Sequence, residues 1–140
     1  ILDDHLPPRL IRDYIPGAVM QGYDKDGDPI YCERVGAAHT PEMRRRFGDD
    51  HLIKHAIWIR ESISKGAWIE EYERTQKRPV RQLLVVEDLH GLSMAHLERH
   101  ILKVFEAVTR LDQDNYPELA KKIINVNSPF ILRMAWSLVN

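Results

Sequence analysis

The stretch that decides the fold runs from Gln82 to Phe130 and reads QLLVVEDLHGLSMAHLERHILKVFEAVTRLDQDNYPELAKKIINVNSPF. Its first part, residues 82–88, is apolar on both faces for several residues, which is typical of a central strand covered on both sides. An acidic turn with Gly91 follows, and a second apolar strand is predicted at Ile123–Val126. An amphipathic segment separates the two strands, so the order predicts strand, helix, strand.

Two segments carry apolar residues at the steps of four and three that predict one buried helical face. In the helix predicted to start near Ser93 these residues are Leu97, Ile101, Val104, Val108 and Leu111. In the segment that follows Thr40 they are Leu52, Ala56, Ile59, Ile63 and Ala67. Thr40 is predicted to be the N-cap of this earlier helical segment, with Pro41 at the first helical position.

The remaining segments complete an alternation of strands and helices. A turn at 22–28, where Gly27 can adopt the positive φ that such turns need, leads into a strand predicted at Pro29–Val35. Ser128-Pro129 repeats the signal for the start of a helix. Crossover connections of this length exclude hairpins and imply parallel strand pairs with right-handed crossovers. The sequence therefore predicts an α/β fold with a mostly parallel sheet and flanking helices.

Composition sets broad limits on function. The chain has 140 residues, enough for one domain, and its 44% apolar content is ordinary for a globular protein. Twenty basic residues against 21 acidic ones give a net charge of −1, so no global basic field indicates nucleic-acid binding. Cys32 is the single cysteine, and we expect it to be a small buried hydrophobe in a reducing cytoplasm. The chain has no run of 18 apolar residues and no signal-peptide pattern.

A calcium-loop pattern is incomplete in the first turn. Asp24, Asp26 and Asp28 have the spacing of its first three ligands. The sixth position needs glycine and the twelfth needs glutamate, but Pro29 and Val35 stand there. We therefore interpret these three aspartates as a solvated turn.

Metal and catalytic motifs are equally incomplete elsewhere. His96 and His100 lie one helical turn apart, but Glu98 does not directly follow the first histidine as it does in zinc-protease helices. His51 and His55 form a second pair without a third ligand nearby in sequence. There is no glycine-rich phosphate loop and no nucleophile elbow. The expectation is a protein without catalytic residues, metal or cofactor; a small hydrolase would need a nucleophile–base pair that the sequence does not supply.

Four short motifs occur in an order that resembles the CRAL-TRIO lipid-binding family from about Gly22 onward. They are Tyr23-Asp24-Lys25-Asp26-Gly27-Asp28-Pro29, Asp88-Leu89-His90-Gly91, Tyr116-Pro117-Glu118 and Asn127-Ser128-Pro129, with Phe130 and Trp136 after the last. The resemblance implies a pocket between a sheet floor and helical walls that holds one lipid or other lipophilic molecule. An enclosed pocket is useful because each exposed methylene costs about 0.8 kcal/mol in water.

The resemblance also suggests ligand-binding residues. The floor would be formed by Leu83 and Val85 on one strand and by Ile124 and Val126 on another. Each of these residues has a competing interpretation as plain core, because side chains between a sheet and helices look identical in sequence. Glu118 matches the acid that relatives use near an inositol headgroup, while its lysine partner would lie beyond residue 140.

Two features bear on the class of ligand. In phosphatidylinositol/phosphatidylcholine exchangers the positions of Leu83 and Val85 hold a serine and a threonine that meet the choline-lipid phosphate, so alkyl groups here favour a more apolar ligand. Glu118 keeps phosphatidylinositol open as a ligand. A purely structural role for Glu118 in the first turn of a short helix opened by Pro117 is an equal alternative.

The resemblance further implies a domain organisation. Residues 1–20 would be the tail of a preceding helical segment, and 21–140 the N-terminal part of a lipid-binding domain that lacks its C-terminal gate region. An uncovered apolar floor would favour self-association. The basic clusters Arg44–Arg46 and Lys121–Lys122 are compatible with peripheral membrane contact, although acidic neighbours also fit a solvated helix surface.

The function predicted from these residues is binding of a hydrophobic ligand, with transfer or presentation at membranes and without catalysis. The alternative is a protein-interaction module, as in related domains that accompany GTPase-regulating domains. Bound lipid in stoichiometric amount would favour the first function, and an empty core with partner binding would favour the second.

Overall fold

The computed structural model describes residues 19–65 and 67–130. The strands within these ranges are β1 Val19–Tyr23, β2 Pro29–Glu33, β3 Leu83–Asp88 and β4 Ala120–Val126. The α-helices are α1 Thr40–Phe47, α2 Asp49–Lys65, α3 Ala67–Gln76 and α4 Arg99–Asn115. Short 3-10 helices lie at Val35–Ala37 and Met94–Leu97.

The strands form one sheet in the order β1-β2-β3-β4. The β2–β3 and β3–β4 pairs are parallel, which confirms the α/β prediction with a mostly parallel sheet. β1 pairs antiparallel with β2 through the turn at 24–28. Strand β1 was not predicted, because its sequence VMQGY is short and contains a glycine that weakens a strand signal.

The register of the parallel strands divides their side chains between two sides of the sheet. Neighbouring Cα partners such as Tyr31, Val85 and Ile123 point to the same side, and successive residues alternate. One side, here called the helix-facing side, carries the following residues of β2, β3 and β4: Tyr31, Glu33, Leu83, Val85, Glu87, Ile123 and Asn125. The opposite side carries Ile30, Cys32, Leu84, Val86, Ile124 and Val126.

The core lies between the helix-facing side and α2. Leu83 is 0% exposed and clusters with Tyr31 of β2 and with Ile59 and Ile63 of α2. The steps of four and three along α2 explain this contact, because they place the apolar residues on one stripe of the helix. A second cluster joins α1 and α2 to α4 through Met43, Leu52, Phe47 and Val104.

Several predicted boundaries are wrong by a few residues. The helix that contains Pro41 begins at Thr40, so His39 occupies the N-cap position and makes no side-chain cap hydrogen bond. The strand predicted to reach Val35 ends at Glu33, because the chain turns into a 3-10 helix there. The strand predicted at Ile123–Val126 begins three residues earlier.

The start of the second helical segment also differs from the prediction. The segment after Ser93 opens with a 3-10 helix, and α4 itself begins at Arg99. Of the residues predicted to be buried along it, Ile101 is buried, whereas Val104, Val108 and Leu111 are half-buried. The helix predicted after Ser128-Pro129 and the helical tail predicted at 1–20 lie almost entirely outside the described residues.

Candidate ligand-binding site

Three polar side chains lie side by side at the carboxyl ends of β2, β3 and β4. Glu33, Glu87 and Asn125 are Cα partners in the parallel register, so all three project from the helix-facing side. We call these three residues the polar row. In open α/β sheets, ligands bind at the carboxyl ends of the strands, so the polar row marks a candidate site.

Both carboxyl groups of the polar row are held in an unfavourable environment for charge. Burial raises the pKa of Glu33, and the neighbouring Glu87 raises it further. Burial likewise raises the pKa of Glu87. No hydrogen bond to either carboxyl group is found within the described ranges, so both groups remain available as acceptors or, when protonated, as donors.

The guanidinium group of Arg60 lies near the polar row and is already engaged. The charge of Arg60 counteracts the rise in the pKa values of Glu33 and Glu87. The Arg60 side chain donates two hydrogen bonds of 2.9 Å to the two carboxylate oxygens of Asp112 on α4. This bidentate pair joins α2 to α4 and uses the strongest hydrogen-bonding geometry of the guanidinium.

Tyr31 adds a polar group that has no hydrogen-bond partner within the described part of the chain. The residue is 5% exposed, and its buried hydroxyl has no hydrogen-bond partner among the described residues. Burial raises the pKa of this hydroxyl, and the negative charges of Glu33 and Glu87 act in the same direction. An unpartnered buried hydroxyl costs free energy, so Tyr31 is a candidate for a hydrogen bond with a bound ligand.

The apolar part of the site lies next to the polar row. Val85 and Ile123 are register partners on the helix-facing side, one step before Glu87 and Asn125. Val85 is half-buried against the core cluster, whereas Ile123 is 55% exposed. The helix layer therefore covers the sheet at Leu83 and leaves apolar surface uncovered toward β4.

The structure separates the five residues predicted to bind ligand. Leu83 and Val85 lie on the helix-facing side, and Ile124 and Val126 lie on the opposite side. One pocket floor cannot include both pairs, because adjacent residues of β4 alternate between the sides of the sheet. Glu118 is exposed in a turn before β4 at φ 67°, not in a helix, and its carbonyl oxygen accepts a hydrogen bond from Gln82.

The residues of the site that sequence reasoning missed are the polar row, Arg60 and Tyr31. Their alignment depends on which residues of three separate strands are register partners, and no local pattern specifies that register. The available signal was the two-residue spacing between Tyr31 and Glu33 in β2. It indicates only that Glu33 shares a side with Tyr31.

Three of the family motifs make structural contacts, two of them at the ends of β3 and β4 and the third between two helices. A carboxylate oxygen of Asp88 accepts hydrogen bonds of 2.9 Å from the His90 backbone and from the Asn127 side chain. These bonds lower the pKa of Asp88, with the bond from Asn127 as the larger cause. The Tyr116 hydroxyl donates a 2.6 Å hydrogen bond to Glu61, which fastens the end of α4 to α2.

The three aspartates of the first turn are gathered around a lysine. The ammonium of Lys121 on β4 lies 2.6 Å from Asp24, 2.7 Å from Asp26 and 2.9 Å from Asp28. Arg78 also pairs with Asp28. The solvated-turn interpretation therefore needs correction, since the turn is tied to the sheet by cationic side chains.

The histidine pairs differ in their surroundings. Both ring nitrogens of His96 lie within hydrogen-bond distance of local groups, at 3.1 Å from the Ser93 backbone nitrogen and 2.8 Å from the Ala38 carbonyl oxygen. His55 is buried and stacks on Trp58, with ring centroids 5.9 Å apart. These contacts give His96 and His55 structural roles within the described chain.

The basic clusters are largely neutralised by neighbouring acids. Arg44 pairs with Asp49, and Arg45 and Arg46 both pair with Glu42. Lys121 belongs to the aspartate cluster, whereas Lys122 is exposed. Among the described residues, no helix combines the length and the apolar character that a membrane crossing requires.

The mostly parallel sheet and the helices packed on it define an α/β domain. The CRAL/TRIO domain family profile matches residues 17–140. The chain belongs to the CRAL-TRIO family, which confirms the resemblance drawn from the four motifs. Family membership supports a lipid-binding role, and members are generally lipid-binding or transfer proteins rather than enzymes.

Similar proteins come from animals and fungi. The chain is 30% identical over its whole length to Protein real-time of Drosophila pseudoobscura pseudoobscura, of which it covers 20%. It is 31% identical over 140 residues to a CRAL-TRIO domain-containing protein of Caenorhabditis elegans and covers 19% of it. Against the SEC14 cytosolic factor of Eremothecium gossypii, 82% of the chain aligns at 31% identity with 37% of that protein.

A solved structure shares the fold. The crystal structure of Sfh5 superimposes on 97% of the chain with a TM-score of 0.60 and 16% identity, and the chain covers 45% of it. The chain thus spans about a fifth of the animal relatives named above and under half of the solved structure.

Proposed function

We propose that this chain binds one hydrophobic ligand between the helix-facing side of its sheet and the helix layer, and that it transfers or presents this ligand without catalysis. The observation that carries the proposal is the exposed side chain of Ile123 beside the half-buried Val85, next to the polar row and the buried Tyr31 hydroxyl. An apolar floor beside a few convergent polar groups is the usual composition of a small-molecule pocket.

The residues predicted to bind ligand differ in how a ligand could reach them. Val85 and Ile123 offer surface to a ligand, whereas Leu83 on the same side of the sheet is fully covered by the core cluster. Ile124 and Val126 would contact a ligand only on the opposite side of the sheet. Glu118, exposed in its turn, is a separate candidate for contact with an inositol headgroup.

The test is native mass spectrometry of the chain purified from cells, combined with extraction and identification of any bound lipid. We expect one lipid per chain. The matched variants are Ile123→Asp, which places a negative charge on the proposed floor, and Gln76→Glu, which adds the same charge at an exposed residue of α3. Loss of lipid in the first variant only would support the site. An empty wild-type chain, or equal loss in both variants, would contradict it.

Transfer at a membrane is the finer part of the proposal. Because most cations of the two basic clusters are already paired, we propose weak peripheral contact in which Lys122 takes part. Sedimentation with vesicles that contain increasing amounts of phosphatidylserine or phosphatidylinositol tests this contact. Self-association through exposed apolar surface is tested by light scattering at high concentration, where a monomer at all concentrations would rule it out.

A protein-interaction module is a second candidate function, and one observation favours it. Leu102 and Phe105 are exposed on α4, where they lie one turn apart on the same face. An apolar pair on a helix surface is a suitable contact for another protein. If Leu102→Asp abolishes binding of a protein partner while lipid content is unchanged, α4 serves this second function.

A further inference from the structure

The charge of the candidate site is unbalanced on the acidic side. Glu33 and Glu87 are register partners on neighbouring strands, so their backbones lie about 4.8 Å apart. Asp112 occupies the Arg60 guanidinium through two hydrogen bonds. When all groups are ionised, the three carboxylates of Glu33, Glu87 and Asp112 face one guanidinium cation. The carboxylates of Glu33 and Glu87 have no direct hydrogen-bonded partner within the described ranges.

The unpartnered Tyr31 hydroxyl is the independent observation that points to a ligand. It is buried beside the polar row. Val85 and Ile123, which are in register with Tyr31 on the neighbouring strands, supply apolar surface on the same side of the sheet. A hydroxyl that only completed the core would cost stability with no gain, and a phenylalanine would fill the same space. A ligand group that exchanges a hydrogen bond with Tyr31 removes this cost.

From this geometry we propose that the polar row and Tyr31 select a lipophilic ligand whose polar end donates hydrogen bonds, as a hydroxyl or an amine does, and reject one that ends in a phosphate. This inference rests on the proposed function, since it names the class of ligand for that site. Carboxylates accept hydrogen bonds from hydroxyl and ammonium groups but repel phosphate oxygens. The side-chain amide of Asn125 can complete either contact as a donor or an acceptor.

The experiment compares three ligands that share one alkyl chain: dodecylamine, dodecanol and dodecyl phosphate. Each displaces the neutral fluorescent probe N-phenyl-1-naphthylamine from the complete 140-residue chain at pH 7. We expect dodecylamine and dodecanol to compete at least tenfold more tightly than dodecyl phosphate. Because the alkyl chain is constant, the ratio reports the polar end alone.

Two variants with the same change in net charge separate the site from a general charge effect. Glu33→Gln combined with Glu87→Gln should bring the ratio of amine to phosphate affinity close to one. Glu70→Gln combined with Glu98→Gln alters exposed acids and should leave the ratio as in the wild type. Circular dichroism of each variant checks that it is folded.

Tyr31→Phe provides a further test. This variant should stay folded, since it removes a buried group without a partner, yet bind dodecanol several-fold more weakly. A wild-type chain that binds dodecyl phosphate as tightly as dodecylamine overturns the inference while leaving hydrophobic binding intact. An unchanged ratio in the Glu33/Glu87 variant has the same consequence. Failure of all three ligands to displace the probe would contradict the proposed function itself.

Discussion

Truncation of Leu83 tests whether this residue belongs to the core or lines the ligand pocket. Leu83→Ala removes three carbon atoms from a side chain that is 0% exposed. At about 0.8 kcal/mol for each buried carbon group, the loss of burial alone amounts to about 2.4 kcal/mol. The space left beneath α2 adds a cavity cost, because Tyr31 and Ile59 are held by their own strand and helix. We therefore expect the free energy of unfolding to fall by about 3–4 kcal/mol.

The assay is urea denaturation followed by far-ultraviolet circular dichroism, with the difference taken from the midpoints if the slopes agree. Ile123→Ala is the matched control on the same side of the sheet. Since Ile123 is 55% exposed, its truncation should cost less than about 1 kcal/mol. A loss below about 1 kcal/mol for Leu83→Ala would refute the core assignment, because it would mean that open space already lies beside this side chain.

Three further predictions concern charge and close packing. Burial raises the pKa of Glu33, so the folded chain loses stability as pH rises from the usual glutamate pKa through the raised one. Glu33→Gln should therefore raise the urea midpoint at pH 7 and have little effect at pH 3. The hydrogen bond from Lys121 lowers the pKa of Asp24, so Asp24 adds stability that is lost as pH falls from the usual aspartate pKa. Lys121→Met should therefore lower the thermal midpoint at pH 7. The same variant should remove most of the loss of stability that acid causes through Asp24. A Cβ atom on Gly36 would lie 2.3 Å from the His90 carbonyl oxygen. Gly36→Ala should therefore cost about 1–3 kcal/mol in urea denaturation. An unchanged midpoint would show that the 3-10 helix at Val35–Ala37 moves freely away from the turn at His90.

Much of the architecture follows from local sequence. The apolar run at 83–86 predicted a strand that is covered on at least one side. The apolar stripe through Ile59 and Ile63 predicted which face of the helix covers this strand. These signals are short-range, so they identify elements without their partners. The antiparallel strand β1 was missed because its pairing with β2, not its own composition, makes it a strand.

The candidate site depended on information that no single segment contains. Leu83, Val85, Ile124 and Val126 all looked suitable for a pocket floor, and the register of β3 with β4 placed the two pairs on opposite sides of the sheet. A shift of one residue along β4 would exchange its two sides, and the sequence of β4, with Ile123 and Ile124 adjacent, does not choose between them. Burial of Leu83 likewise depends on where α2 crosses the sheet.

The sequence alone determined the alternation of strands and helices from β2 to β4, the family and the absence of complete catalytic motifs in its letters, because each of these depends on residues close together in the chain. Tertiary structure alone decided that Lys121 lies among three aspartates, that Asp112 binds Arg60, and that the Tyr31 hydroxyl has no partner among the residues at 19–65 and 67–130. The reason is physical: pairing energies and pKa shifts depend on distance in space, and residues from four separate elements meet only after the sheet and helices have packed.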